Sequence, residues 1–292
     1  MTRMLILGGT GETGSWFARY FSRKGFEIAL WGPSGRKEVA ERLGMRFADD
    51  MMGEAEGSDV VLVSVPIEKT VDIIRQVGPR MRAGSLLMDV TSLKAEPMRA
   101  MLEFAPEGVE VLGTHPMFGP TMAGLEGQTI ILTPAEGRCS SWLPRMKELF
   151  LADGARVEIL PAEEHDQIMA VVQALTHFAY IGIGAALQAL GFDVQRSRRF
   201  MSPVYEIMID FVGRILDQNP ELYASIQRNP AASGARQTFI AECMRLDERA
   251  DAGDLEGFKQ IMREAAKHYG DTHEALKRSD RLINCRIGEM RE

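Results

Sequence analysis

The run Gly113-Thr114-His115-Pro116-Met117-Phe118-Gly119-Pro120 holds the side chain best suited to chemistry. His115 follows a predicted strand, Val109–Leu112, and precedes a proline that restricts its backbone to extended conformations. Gly113, Gly119 and Pro120 bracket it as a rigid turn. An imidazole with an unperturbed pKa near about 6.5 suits proton transfer at neutral pH. A second loaded segment opens the chain. Gly9-Thr10-Gly11-Glu12-Thr13-Gly14 fits G-x-G-x-x-G, after a short apolar strand and at the start of a predicted helix, which is the context in which this motif holds a dinucleotide. Gly9 permits a tight turn, Gly11 lets the backbone approach a pyrophosphate, Gly14 lets helix and strand pack closely, and the helix N-terminus faces the phosphates. A histidine at the far end of a later strand can face the same crevice and take a proton while the cofactor takes a hydride.

Gly8, Gly11 and Gly14 also fit G-x-x-G-x-x-G, as in short-chain dehydrogenases. Those enzymes resemble each other in a later Tyr-x-x-x-Lys pair. The only such spacing here, Tyr20 and Lys24, lies on the first helix and reads as a surface pair. Cofactor choice is read at the end of the second strand, where an acid would hold the ribose 2′-hydroxyl. The sequence there is Trp31-Gly32-Pro33-Ser34-Gly35-Arg36-Lys37, with a hydroxyl and two cations but no acid. Ser34 and Arg36 therefore predict NADP over NAD. Val65 and Pro66, at the end of the strand Asp59–Val65, complete the expected cofactor set.

Residues 1–160 must position these groups, and they alternate strand-like and helix-like segments. Strands are predicted at Met4–Leu7, Glu27–Trp31, Asp59–Val65, Ser85–Val90, Val109–Leu112, Thr129–Leu132 and Arg156–Leu160. Helices are predicted at Glu12–Lys24, Lys37–Leu43, Lys69–Val77, Leu93–Phe104 and Ser140–Leu151. The continuous apolar run Asp59–Val65 suits a parallel strand buried on both faces. The alternation predicts an α/β, Rossmann-type doubly wound sheet. Residues 161–292 read as an all-helical domain, with helices at 162–190, 203–217, 235–250, 254–279 and 280–291.

Of 292 residues, 45% are hydrophobic, enough for two cored domains, and the net charge is −7. An acidic surface argues against nucleic acid or an anionic membrane as partner, so an anionic substrate needs local basic residues. Three dispersed cysteines, Cys139, Cys243 and Cys285, form neither a metal spacing nor a disulfide framework and predict a reducing cytoplasm. The start, Met1-Thr2-Arg3-Met4, runs into a strand without a signal-peptide pattern. The most apolar stretch, Met169–Phe192, is interrupted by Gln173, Thr176, His177 and Gln188. It reads as a buried helix rather than a membrane span.

Several stretches together resemble the prephenate dehydrogenase family. They are Asp89-Val-Thr-Ser92-Leu-Lys94, the His115 run, Glu164-His165-Asp-Gln167, Gln173-Ala-Leu-Thr-His177-Phe178 and Gly213-Arg214-Ile-Leu. The resemblance implies a Rossmann domain with a helical dimerisation domain, hence a homodimer. It also implies oxidative decarboxylation of prephenate to 4-hydroxyphenylpyruvate in tyrosine biosynthesis, with NADP or NAD. In that reading His115 accepts the hydroxyl proton and Ser92 orients the hydroxyl and the histidine. His177 lies near the substrate side chain, and Arg214 anchors a carboxylate. Lys94 and Gln167 are further substrate-binding candidates. Each has an ordinary alternative: Ser92 as a helix N-cap, His177 as a core histidine, Arg214 in an ion pair with Asp210 or Asp217, Lys94 solvated, Gln167 bracing its helix. His165, among Glu163, Glu164 and Asp166, reads as part of a solvated helix start. Arogenate or an amino-substituted prephenate is the alternative substrate, with Glu206 as a candidate amine partner. A nicotinamide sensor without catalysis is the alternative of another class, and the joint presence of His115, Ser92 and Arg214 argues against it.

Overall fold

A computed structural model describes residues 1–289. The first part runs β1 (Thr2–Leu7), α1 (Glu12–Arg23), β2 (Phe26–Trp31), α2 (Lys37–Arg42), β3 (Arg46–Phe47), α3 (Met51–Gly57), β4 (Val60–Val63), α4 (Ile67–Val77), β5 (Leu86–Asp89), α5 (Ala95–Phe104), β6 (Glu110–Pro116), β7 (Thr129–Pro134), α6 (Trp142–Ala152), β8 (Arg156–Ile159) and α7 (Ala162–Met169). The strands form one sheet in the order β3-β2-β1-β4-β5-β6-β7-β8. All neighbours are parallel except β6 and β7. The order reverses between β1 and β4, and ligands of such sheets bind beyond the carboxyl ends at that point. This is the doubly wound sheet that the alternation predicts.

The two-residue period of the strands decides the layers. Met4 and Ile6 of β1 join one core with Trp16, Phe17 and Phe21 of α1. Leu5 and Leu7 join the opposite core with Ile74 of α4 and Met101 of α5. In α1 the buried residues Trp16, Phe17, Tyr20 and Phe21 recur at one-turn spacing, which makes the stripe that seats the helix. Tyr20 is thus a core residue rather than half of a surface pair. Its hydroxyl donates to the Leu149 carbonyl at 3.1 Å.

The chain divides into two compact units, Met1–Ile168 and the residues from Met169 onward. The division falls inside α7, where His165 is bonded to the His115 side chain and Asp166 to the Lys94 and Ala95 amides of the first unit. The second unit holds α8 (Thr176–Ala189), α9 (Val194–Ser197), α10 (Pro203–Leu216), α11 (Pro220–Ile226), α12 (Ala232–Asp251), α13 (Leu255–Tyr269) and α14 (Thr272–Glu289). Gly184 lets α8 and α10 approach, since a Cβ there would stand 2.8 Å from Leu216 Cδ1. A π-helical turn, Ala170–Leu175, precedes α8. By length and composition alone, the helix Ala162–Ala189 meets the criteria for crossing a membrane. The expectation of a buried helix fails for the single chain, because α8 has no buried residue.

Other departures are local. β3, α3 and α11 are too short to produce a periodic signal. The helix expected over 254–279 is broken at Gly270, whose φ of 81° ends α13, and α14 then runs through residue 280. The last expected helical residues, 290 and 291, lie outside the described residues. The strand expected to stop at Leu112 continues to Pro116 as β6.

Candidate active site

The glycine loop is shaped by steric need, but the roles shift by one residue. Gly8 takes the left-handed φ of 81°, and a Cβ there would stand 2.2 Å from the Ser64 carbonyl oxygen. Gly8, not Gly9, therefore makes the tight turn. Gly9 must be small for another reason, since its Cβ would lie 2.7 Å from Leu30 Cδ2 and 2.8 Å from the Ile6 oxygen. Gly14 allows close helix–strand packing, its Cβ position being 2.3 Å from the Gly8 oxygen. Gly11 meets only that same oxygen, at 3.2 Å, which leaves its outer side open. Gly11 also N-caps α1 with no side-chain acceptor, so the first-turn amides of Glu12 and Thr13 are available to an anion. Val65 is buried behind the Gly8 turn and Pro66 is exposed at the start of α4. These residues fit a bound pyrophosphate.

At the end of β2, Arg36 spans the loop. Its guanidinium donates to the Thr10 carbonyl at 2.9 Å and, through Nε, to Ser34 Oγ at 3.1 Å. Thr10 Oγ1 occupies the space beside Gly32, where a Cβ would be 2.3 Å away. A side chain directly after β2, at Gly32, would have to displace the Thr10 hydroxyl. Lys37 is engaged elsewhere, with Asp49 at 2.5 Å.

His115 is a strand residue and not part of a turn. Residues Glu110–Gly113 of β6 pair in parallel with β5, while Leu112–Pro116 pair antiparallel with β7, His115 lying opposite Ile131. β6 thus outruns β5 and carries His115 past the carboxyl end of the parallel sheet. Its side chain is 3% exposed. Nδ1 lies 2.9 Å from Nε2 of His165, and Nδ1 of His165 lies 2.8 Å from Oδ1 of Asp166. His165 is fully buried and Asp166 nearly so, which overturns the solvated helix start. Glu163 and Glu164 are exposed, as their charge requires. Burial first, then the neighbouring His165 and Lys94, pushes the His115 pKa well below the usual imidazole range. The ring is neutral at neutral pH, as a general base must be. Burial raises the Asp166 pKa, but hydrogen bonds from His165 and from the Ala95 and Lys94 amides outweigh it and hold the carboxyl below its usual value.

Those amide bonds also settle what starts α5. Asp166 accepts from the backbone N–H of Lys94 at 2.8 Å and of Ala95 at 2.9 Å. The N-cap function expected of Ser92 is thus supplied from 72 residues away in sequence. Ser92 is half-buried in the loop after β5, and the register of Asp89 with Gly113 leads that loop alongside Thr114–Pro116. Lys94 is neither solvated nor open to a substrate. It is fully buried, with Nζ on the Asp89 carboxylate and donating to the Thr114 carbonyl at 3.0 Å. Burial lowers its pKa although Asp89 opposes this. Gln167 is exposed, two residues and about 200° around α7 from His165, so it does not share the buried face.

In the second unit, the His177 ring packs against Tyr223 of α11, centroids 4.4 Å apart and planes tilted by 44°. Burial lowers the His177 pKa. Tyr223 is close enough to Arg214 to feel its charge, and the sequence reading missed it. Arg214 is exposed, and among the described residues no carboxylate pairs with it. The acidic neighbour Asp210 is bound instead by Arg198 at 2.7 Å. The signal for His165 and Asp166 was present in the sequence. Both lie in phase with buried Met169 and Ala170 at helical spacing.

Comparisons with known proteins place the family and the fold. A family model described as the nucleotide-binding domain of prephenate dehydrogenase matches residues 17–159, and one described as its dimerization domain matches residues 161–264. The chain is 46% identical over 269 residues to a probable arogenate/prephenate dehydrogenase of Methanocaldococcus jannaschii, covering 91% of this chain and 60% of that protein. It thus spans under two thirds of that relative. It is 30% identical over 285 residues to the 4-amino-4-deoxyprephenate dehydrogenase of Streptomyces pristinaespiralis, covering 94% of this chain and 94% of that protein. The prephenate dehydrogenase of Aquifex aeolicus, solved with hydroxyphenyl propionate and NAD+, superposes with a TM-score of 0.73 at 20% identity, covering 92% of this chain and 97% of that one.

Proposed function

The chain belongs to the prephenate dehydrogenase family, and from that premise we propose that it is an NAD(P)-dependent oxidoreductase that converts prephenate to 4-hydroxyphenylpyruvate and carbon dioxide. The observation that carries this reading is the buried, neutral His115 at the end of β6, in the same sheet whose first turn forms the pyrophosphate cradle. A bound nicotinamide supplies the hydride acceptor. His115 Nε2 takes the ring hydroxyl proton as the C–H bond breaks. The electron pair of the breaking carbon–carboxylate bond enters the ring, and His115 returns its proton to the phenol oxygen once the ring is aromatic. General-base assistance of this kind is typically worth about 10²–10⁴-fold. Ser92 orients the hydroxyl. Arg214 holds a substrate carboxylate, a task suited to a guanidinium that has no ion-pair partner among the described residues, and His177 with Tyr223 lines the side chain.

For the cofactor we propose NADP over NAD, on the Arg36–Ser34 pair and the absence of an acid between Gly32 and Lys37. A homodimer formed through the helical unit accords with the apolar residues Ile183, Leu190, Phe192 and Phe211, which are exposed in the single chain. Arogenate is the second reading. Glu206 is half-buried on α10 and, among the described residues, pairs with no cation, so it is free to meet an amine.

The test is a paired assay with prephenate and arogenate, each with NADP and NAD, on wild type and His115→Asn. Reduction of NADP with prephenate, lost in the variant, is expected. No turnover with either substrate refutes the enzyme reading, and an unchanged kcat in the variant refutes His115 as base. A higher kcat/KM with NAD refutes the cofactor assignment.

A further inference from the structure

Resting on the reading of His115 as base, we propose that His165 and Asp166 are the positioning pair that fixes the tautomer of His115 and shares its charge when it is protonated. The deduction starts from the backbone. Asp166 faces two amides, Lys94 N–H and Ala95 N–H, which only donate, so its oxygens must accept. The same Oδ1 is 2.8 Å from His165 Nδ1, which therefore carries the hydrogen. A neutral His165 then presents a lone pair on Nε2. At 2.9 Å from that atom, His115 Nδ1 must donate. The proton of neutral His115 is thereby placed on Nδ1, and Nε2 is left with the lone pair that a base needs.

The opposite arrangement would disable the site. A charged His165 would donate from Nε2, His115 Nδ1 would accept, and His115 Nε2 would carry a hydrogen with no basicity left. Burial disfavours it, because a cation on the fully buried His165 would lack solvent. The groups that bear on His115 are therefore His165 and Asp166 from α7, and Lys94 with its counter-ion Asp89 from the β5 loop. The arrangement follows the logic of a carboxylate orienting a catalytic imidazole, with a second imidazole inserted between them.

The experiment uses the full chain labelled with ¹⁵N-histidine. Ring-nitrogen shifts distinguish the tautomers, and the His115 resonances are assigned by their loss in His115→Asn. The expected result is a single Nδ1–H tautomer for His115 between pH 6 and 8 (about one unit either side of neutrality, where an ordinary histidine would titrate). In His165→Phe the tautomers should mix, kcat should fall by about 10- to 100-fold as for other orienting partners, and KM should hold. His165→Gln, whose amide oxygen can accept from Nδ1, should restore part of kcat. An Nε2–H tautomer in wild type overturns the proposal, as does an unchanged tautomer and kcat in His165→Phe. Should the wild type turn over no substrate, the functional reading fails, and the nitrogen spectrum still decides the tautomer.

Discussion

Acidification should destabilise the first unit through one identifiable proton. His115 is buried and its pKa is held well below the usual range, whereas in the unfolded chain it titrates near about 6.5. Below that pH the unfolded chain binds a proton that the folded chain refuses. Stability must then fall as pH falls, beginning near about pH 6.5 and continuing until the folded-state pKa is reached. The slope for one proton is about 1.4 kcal/mol per pH unit. Between about pH 6.5 and 5.0 the loss from His115 alone approaches about 2 kcal/mol, a substantial part of the about 5–15 kcal/mol that stabilises a typical domain.

The molecule offers a selective probe. Trp16, Trp31 and Trp142 all lie in the first unit, so indole fluorescence during urea unfolding reports that unit. Titrations at several pH values, for wild type and His115→Asn, give the difference in slope. The wild type should lose stability faster on acidification, by about 1.4 kcal/mol per pH unit. His177 and Asp166 are present in both proteins and cancel. Equal slopes would mean that His115 titrates in the fold as it does in water, and the argument for a neutral buried base would be wrong.

Other consequences can be checked separately. Lys94→Met leaves Asp89 as an unpaired buried charge and should cost about 3–5 kcal/mol, read by urea denaturation, while Lys94→Met/Asp89→Leu should recover most of it. A single-variant cost below about 1 kcal/mol would show that the pair is hydrated. Gly14→Ala forces a methyl to within 2.3 Å of the Gly8 oxygen. It should destabilise by about 1–3 kcal/mol and weaken NADP in a calorimetric titration, and wild-type affinity would refute the cradle. Arg214→Ala removes a charge-assisted bond worth about 1.5–3 kcal/mol. It should raise KM for prephenate by roughly 10- to 100-fold in steady-state kinetics, and an unchanged KM removes Arg214 from substrate binding.

The parallel sheet was legible because its strands are buried on both faces and so read as short apolar runs between helical periods. Val60–Val63 shows this most plainly, four consecutive residues without exposure. The two-residue β3 was not legible, because it is held by register with Ala29 and Leu30 rather than by any pattern of its own. The length of β6 was hidden for a similar reason. Gly113 and Pro116 have low strand propensity, and pairing with β7 overrides it. Pro116 is tolerated at the end of the strand, where its missing N–H takes nothing from the ladder.

The site was legible where a residue type announces its chemistry, as at His115 and the glycines, and was misread where charge is buried. His165 and Asp166 read as solvated, and Lys94 as a substrate ligand or a solvated cation, because charged residues are rarely buried unless they are paired. Their partners are contributed by tertiary structure: Asp89 and the Thr114 carbonyl for Lys94, and the first amides of α5 for Asp166. Asp166 shows why folding and chemistry cannot be separated here. One carboxylate starts α5 and, through His165, orients His115. Hydrogen bonds from His165 and from the two amides that it caps keep it ionised, and because those amides can only donate, Asp166 accepts and His165 donates from Nδ1. Loss of the cap would therefore loosen α5 and release the tautomer of His115 together, whereas removing His165 alone would release the tautomer and leave the cap in place.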